Sequence, residues 1–273
     1  MRIPFRKMHG LGNDFVVIDA REMPVAMSAL RAAALADRRT GIGCDQLILL
    51  ETSDAADVKM RIFNHDGSEV EACGNASRAV GLLLGGTQSI ETLGGMIRSE
   101  ARAEGVSVDM GAPRLGWDEI PVAYAMDTLE MPVGWEDLEN PVGVNVGNPH
   151  VIFFVPDADA VDLERLGPLI ECDPLFPQKI NVNVASVVGT DHLKLRVWER
   201  GVGLTRACGT GACATGVAAI RRKLTGRKVR VDLPGGPLTI TWPENEGAGG
   251  NIEMTGPAAL SFEGTFEDAD FPA

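Results

Sequence analysis

"EACGNASRAVGLLL" (71–84) and "RACGTGACATGVAA" (206–219) each set a cysteine ahead of a glycine and a small or polar residue, then run on through small and apolar side chains. Cys73 and Cys208 stand 135 positions apart (208 − 73). The same offset joins "KMRIF" (59–63) to "KLRVW" (194–198), and Gly12-Asn13 to Gly147-Asn148. Within the cysteine-led segments it joins Ala79 and Gly81 to Ala214 and Gly216. Separate features sharing one offset, with no gap between them, mark the chain as two copies of one ancestral half.

Each copy reads as the same order of elements. β-branched and apolar runs predict strands near 14–19, 46–51 and 58–64, and again near 151–155, 182–188 and 193–199. A helix is expected over 28–38, started by Ser28 and ended before Gly41, with its counterpart over 162–171. The cysteine-led segments follow as helices over 74–84 and 209–223. The first is apolar or small on nearly every side, apart from Ser77 and Arg78, which is the pattern of a buried helix. Short strands close each copy, near 88–92, 96–101 and 106–110, then near 228–233, 238–242 and 251–254. Strands adjacent in sequence with few helices between them predict an α+β fold. Its two pseudo-symmetric halves would each be a curled, barrel-like, mainly antiparallel sheet around a central helix, with the active site in the cleft between them. Gly81 and Gly216 cost about 1 kcal/mol each relative to alanine in a helix, so a sheet or helix is expected to approach closely there. "GAPRLGWDEIP" (111–121) is the boundary candidate, giving one domain over 1–113 joined by 259–273 and a second over 114–258. "PENEGAGGN" (243–251) reads as a polar loop without chemistry.

Composition excludes several classes of function. A chain of 273 residues with 45% hydrophobic and 23% charged residues is that of a globular protein with room for two cores. A net charge of −13 argues against nucleic acid, which requires clustered Lys and Arg. No apolar stretch follows the early charges of "MRIPFRKMHGLGND", and "VIFFV" (151–155) is too short to cross a bilayer, so a cytoplasmic location without membrane attachment is expected. Five cysteines, an odd number, speak against a disulfide framework. His9, His65, His150 and His192 have no metal-ligand spacing, so no metal is expected.

Cys73 and Cys208 carry the chemical signal. A cysteine at a helix start meets unpaired backbone N–H groups and the positive end of the helix dipole, which favour thiolate and also bind a carboxylate. Two such groups facing each other could remove a proton from one side of a carbon and deliver another to the opposite side, inverting the centre. The alternatives are a packed core thiol at each position, or a redox pair of Cys208 with Cys213, whose C-x₄-C spacing differs from the usual C-x-x-C. Cys44, Cys172 and Cys213 have no counterpart at the offset and read as structural.

"MHGLGNDF" (8–15), "GCDQ" (43–46), "FNHDGSEVEACGNASR" (63–78), "GNPH" (147–150), "INV" (180–182) and "WERGVGLTRACGTGACA" (198–214) resemble the diaminopimelate epimerase family, in order along the chain. The resemblance implies inversion of one centre of LL-diaminopimelate to the meso form, feeding lysine and peptidoglycan synthesis, without pyridoxal phosphate or metal. It implies Cys73 and Cys208 as the acid–base pair, and the backbone of Gly74-Asn75 and Gly209-Thr210 as the holder of the reacting carboxylate. Glu199 would pair with the reacting ammonium group. Asn64, Asn148, Asn181 and Arg200 would bind the distal end, and Asn13 and Gln46 would line the site. A homodimer is expected on the same ground. The offset matches Asn64 to Glu199 and Gln46 to Asn181, and the change from Asn to Glu breaks the symmetry where one end must react. Leu204 and Asp173 depart from the family pattern without touching these residues, and His150 resembles a family position near the site, the alternative being a hydrogen-bonded structural residue. Rival readings are a proline or hydroxyproline racemase of the same architecture, and a non-catalytic protein that binds a small anion at the paired helix starts.

Overall fold

The computed structural model describes residues 1–71, 73–243 and 250–272, so the centre of the loop expected at 243–251 lies outside the described residues. The first elements along the chain are β1 (Arg2–Gly10), β2 (Asn13–Asp19), α1 (Ala29–Ala36), β3 (Gln46–Glu51), β4 (Val58–Asn64), β5 (Glu69–Val70), α2 (Gly74–Leu84), β6 (Thr87–Thr92), β7 (Gly95–Arg102) and β8 (Gly105–Asp109). A short ribbon, β9 (Gly134–Trp135) and β10 (Leu138–Glu139), precedes β11 (Val142–Asn145), β12 (Pro149–Phe154), α3 (Leu163–Glu171), β13 (Asn181–Gly189), β14 (His192–Glu199) and β15 (Gly203–Thr205). The chain ends with α4 (Gly209–Arg221), β16 (Lys228–Leu233), β17 (Gly236–Thr241), β18 (Glu253–Gly256) and β19 (Ala259–Glu267). It divides into two compact units, Met1–Val108 with Gly256–Ala273, and Asp109–Thr255. Four α-helices among the described residues, against many short strands, make this an α+β protein.

In the first unit β1 pairs antiparallel with β2 and β19, β2 runs parallel to β3, and β3 antiparallel to β4. β4 is antiparallel to β5 and parallel to β6, which begins the antiparallel meander β6–β7–β8. The inner strands are buried on both faces, which is why "DFVVID" and "QLILLE" read as unbroken apolar runs. Side chains alternate between the faces. Val16, Ile18, Leu47 and Leu49 join the core that includes Leu35 of α1. Phe15, Val17, Ile48 and Leu50 join the core that includes Ala76, Ala79 and Val80 of α2.

The second unit repeats this pairing. β11 is antiparallel to β12, β12 parallel to β13, β13 antiparallel to β14, and β14 antiparallel to β15 and parallel to β16. β16, β17 and β18 follow as antiparallel neighbours. Val151, Phe153, Val182 and Val184 face α3, where they pack with Leu163, Leu166 and Ile170.

The duplication extends to the hydrogen-bond register. Phe15 faces Gln46 in one unit and His150 faces Asn181 in the other; Ile62 faces Val70, and Val197 faces Thr205. All these pairs keep the offset of 135 (150 − 15). After the second helix of each copy the offset becomes 141 (231 − 90): Val58 faces Ile90 and Leu193 faces Val231. Six residues (141 − 135) have entered the second copy there, partly in α4, which runs 13 residues against 11 for α2.

α4 is buried along nearly all its length and α2 from Asn75 to Gly81, and Cys73 and Cys208 are their N-cap residues. The glycines inside them answer to close packing. A Cβ on Gly81 would lie 2.7 Å from Val106 Cγ1 and 2.9 Å from Ser99 Oγ, and one on Gly216 would lie 2.9 Å from Ile240 Cγ2. α1 and α3 start on side-chain caps, Ser28 accepting from the Arg31 N–H and Asp162 from the Arg165 N–H. Among the described residues no helix is long and apolar enough to cross a membrane.

Candidate active site

In each unit the strand pairing collects polar residues at one end of the sheet, beside the start of the buried helix. In the first unit Asn13 begins β2, Gln46 begins β3 parallel to it, and Asn64 ends the antiparallel β4 opposite Gln46. Gln46 Nε2 donates to Asn64 Oδ1 at 3.0 Å, and Asn64 Nδ2 donates to Ser68 Oγ at 3.1 Å. Cys73 follows with extended backbone (φ −148°, ψ 111°), so that Gly74 and Asn75 form the first helical turn. Asn13 Oδ1 lies 4.0 Å from Cys73 Sγ and accepts from Asn75 Nδ2 at 3.1 Å. Gln46 Oε1 and Asn75 Oδ1 are buried acceptors with no hydrogen-bond partner, a cost proteins accept where a ligand supplies the donor.

The second unit builds its counterpart from different side chains. Asn148 precedes β12, Asn181 begins β13 and Glu199 ends β14. Asn181 Nδ2 donates to the Pro149 carbonyl at 2.7 Å, and its Oδ1 accepts the Arg200 N–H at 3.0 Å. The exposed Arg200 guanidinium donates to the Gln178 carbonyl at 2.9 Å. Cys208 Sγ accepts the Gly211 N–H at 3.3 Å and lies 3.5 Å from Thr210 Oγ1. Gly209 is the first residue of α4.

Cys208 does not have the thiolate-favouring setting that its helix start suggests. Burial pushes the Cys208 thiol well up, and the negative charge of Glu199 pushes it further; the Gly211 N–H and the Thr210 hydroxyl only partly oppose this. The helix start is outweighed because Cys208 is 3% exposed and faces a carboxylate. Burial also raises Glu199, against hydrogen bonds from Thr205, at 2.5 Å, and from the Cys208 thiol. Asn64, at the matched position, bears no charge.

His150 lies on the α4 face of its sheet, fully buried. Asn183 Nδ2 donates to the Gly211 carbonyl and to Thr215 Oγ1, both at 3.0 Å, which turns its Oδ1 toward His150 Nδ1 at 3.2 Å. The Nδ1 therefore carries a proton. His150 Nε2 sits 3.0 Å from the Asn148 side chain. Burial, with the charge of Arg200, lowers the imidazole to about 4 despite the Asn183 bond, so it is neutral at pH 7. At the matched positions of the first unit stand Phe15, Ile48 and Val80, all in the apolar core. Three apolar positions have thus become one hydrogen-bonded set, His150, Asn183 and Thr215, in the second copy. The offset puts that signal in the sequence, but comparing matching residues overlooks positions that changed together. Thr205, the partner of Glu199, was missed for the same reason, since Val70 occupies its matched position.

The five cysteines are thiols; Cys44 and Cys213 are buried and Cys172 is exposed after α3. Among the described residues no group of three or more His, Cys, Asp or Glu is arranged to hold a metal.

Residues 5–116 and 142–261 match the family model described as diaminopimelate epimerase. The chain belongs to the diaminopimelate epimerase family. It is 65% identical over 272 residues to the diaminopimelate epimerase of Erythrobacter litoralis, covering 99% of this chain and 100% of the relative. To that of Rhizorhabdus wittichii it is 65% identical over 96% of this chain and 94% of the relative. The fold reaches further than the family. A phenazine biosynthesis protein of the PhzF family from Bacillus anthracis superposes with a TM-score of 0.72 at 16% identity, covering 98% of this chain and 99% of that one. A hydroxyproline epimerase from Agrobacterium vitis, with bound trans-4-hydroxy-L-proline, gives 0.65 at 15% identity, over 97% and 91%. At those identities the likeness is one of fold alone.

Proposed function

We propose that this chain epimerises LL-diaminopimelate to the meso form by two-base proton transfer at Cα, without pyridoxal phosphate. One thiolate takes the Cα proton while the electron pair spreads into the adjacent carboxylate. The other thiol delivers its proton to the opposite face, so the enzyme ends with the two protonation states exchanged and no net proton gained or lost. Cys73 and Cys208 fill these roles, with the N–H groups of Gly74-Asn75 and Gly209-Thr210 on the reacting carboxylate. Glu199 meets the reacting ammonium group, and Asn64, Asn148, Asn181 and Arg200 hold the distal amino-acid end, Asn13 and Gln46 lining the site. The product serves lysine and peptidoglycan precursor synthesis, and the cytoplasmic location and homodimer are part of this proposal.

One observation supports the reading above all: both copies place a thiol as N-cap of a buried helix, beside matched polar residues at the same strand ends. A structural thiol would not need this neighbourhood twice. Glu199 and Arg200, with the asparagines, suit a substrate with a second amino-acid group better than proline. In heavy water, deuterium is expected in product first, with little in recovered substrate at early times. Cys73→Ala and Cys208→Ala should each lose full inversion while folding normally. Prompt labelling of substrate, near-normal turnover by either variant, or turnover of proline in place of diaminopimelate would overturn the assignment.

A further inference from the structure

Asn13 Oδ1 lies 4.0 Å from Cys73 Sγ, and an amide can turn either its oxygen or its nitrogen toward a sulfur. What decides between them lies one layer further out. Asn13 Nδ2 donates to Asp45 Oδ2 at 3.0 Å. An ionised carboxylate accepts and never donates, so it admits only the nitrogen of that amide. The oxygen is left to face Cys73 Sγ and Asn75 Nδ2. We propose that Asp45 is a positioning residue, which sets the orientation of the Asn13 amide and through it the surroundings of Cys73.

The carboxylate is itself held from several sides. Its Oδ2 also accepts the Asp14 N–H at 3.1 Å, and its Oδ1 accepts from the Arg38 guanidinium at 2.7 Å. The Asp45 N–H in turn donates to the Asp14 carbonyl at 3.0 Å and to Asp14 Oδ1 at 3.1 Å. Arg38 spans both carboxylates, and Lys7 pairs with Asp14. Burial works to raise Asp14, but hydrogen bonds from Arg38 and Lys7, and with Asp45, hold its carboxyl far below the usual range. The start of β2 and α1's trailing loop thus converge on the carboxylate of the "GCDQ" turn.

The duplication supplies the control. The cluster has no counterpart at the matched positions, where Pro149 stands for Asp14 and Ile180 for Asp45. The matched asparagine, Asn148, has a different neighbour, its Oδ1 lying 3.0 Å from His150 Nε2. A surface ion cluster kept only for stability has no reason to aim a lone pair at Asn13; Asp45 is 45% exposed and contributes little to the core.

This inference rests on the proposed site, and the experiment separates the two. Asp45→Ala, Asn13→Ala and the double variant of the full chain are assayed for kcat and KM on LL-diaminopimelate, with Cα–H exchange followed by NMR for slow variants. Asp45→Ala is expected to lower kcat on the order of 10- to 100-fold, the effect of a misoriented site group, with a much smaller change in KM. In the Asn13→Ala background the same substitution should change kcat by less than about 2-fold, because the group it acts through is gone. Equal losses in both backgrounds, or parent-like kcat in Asp45→Ala, would overturn the inference while leaving the site intact. Parent-like activity in Asn13→Ala would instead remove Asn13 from the site and the inference with it. Should Asp45→Ala not fold, Asp45→Asn in the same cycle decides: it keeps an acceptor, and its smaller loss must also vanish without Asn13.

Discussion

A fully buried imidazole is an expensive group to protonate, and His150 makes that cost measurable. Its pKa falls from 6.5 to about 4 on folding, chiefly by burial. Between those values the unfolded chain binds a proton that the folded chain does not, so stability rises with pH across the interval. Its contribution is complete above about pH 6.5, is lost as pH falls toward 4, and changes no further below that. The full swing is on the order of 3 kcal/mol, at about 1.4 kcal/mol per unit. His150→Gln, which keeps a donor and an acceptor but does not titrate, should be less stable at pH 7 and show a shallower slope of unfolding free energy between pH 4 and 6.5. Urea titrations at several pH values measure this, and parallel slopes in parent and variant would contradict it. At this scale the sequence was only partly readable. Asn13, Gln46, Asn64, Asn148, Asn181 and Glu199 were named by the family resemblance, and the related polar residues at their matched positions support them. Asp45 and Thr205 could not be picked out, because their matched positions, Ile180 and Val70, are apolar.

At the scale of single elements, local rules worked where the local chain decides the structure. The helix over 74–84 forms as expected, and Ser28 caps α1. Expected strands such as 46–51, 58–64 and 228–233 are present at those bounds. The overlooked strands are those whose partner, not their own pattern, makes them strands. β19 has one buried residue, Phe266, so no alternation betrays it, and β1 carries Pro4 and several charges. The glycines of the buried helices permit a finer test, because alanine has opposing effects there. It gains about 1 kcal/mol of helix propensity and loses about 1–3 kcal/mol to overpacking. At Gly81 the added methyl meets side chains of two strands, Ser99 on β7 and Val106 on β8, both nearly or fully buried. At Gly216 it meets one side chain, Ile240, whose outer carbons can move. Gly81→Ala should therefore destabilise by about 2 kcal/mol and Gly216→Ala by about 1 kcal/mol or less. Thermal denaturation of the two variants gives the ranking; a stabilised Gly81→Ala would mean that β7 and β8 yield easily to the helix.

Across the whole chain, duplication made more of the fold legible than any single motif, and it also marks where reading stops. The offset of 135 aligns the copies through the strand registers to the cysteine caps, then shifts to 141 once six residues enter the second copy. Beyond that point a search at one offset finds nothing, although the hairpins β6–β7 and β16–β17 pair alike, Ile90 with Ile97 and Val231 with Leu238. The pairing of β1 with β19 was invisible for another reason: it joins the two ends of the chain, Ile3 facing Phe266, so no local window contains it. On the β19 side that long pairing buries a single side chain. Phe266 is the one buried side chain of β19, packed among Phe5, Phe271 and Arg31 at centroid distances of 6.5, 5.6 and 5.9 Å. Leu260 and Phe262 on the same strand are exposed, and Phe262 meets Phe5 only edge-on, at 6.1 Å between centroids. Phe266→Ala should cost about 3–5 kcal/mol, the usual range for emptying an aromatic core position. The loss should appear first as faster hydrogen exchange in the β1 and β19 amides, because the backbone bonds remain but the side chain that docks the strand is gone. If those amides keep their protection, the backbone ladder and the exposed edge residues hold the strand without Phe266, and the anchoring assigned to that ring is wrong.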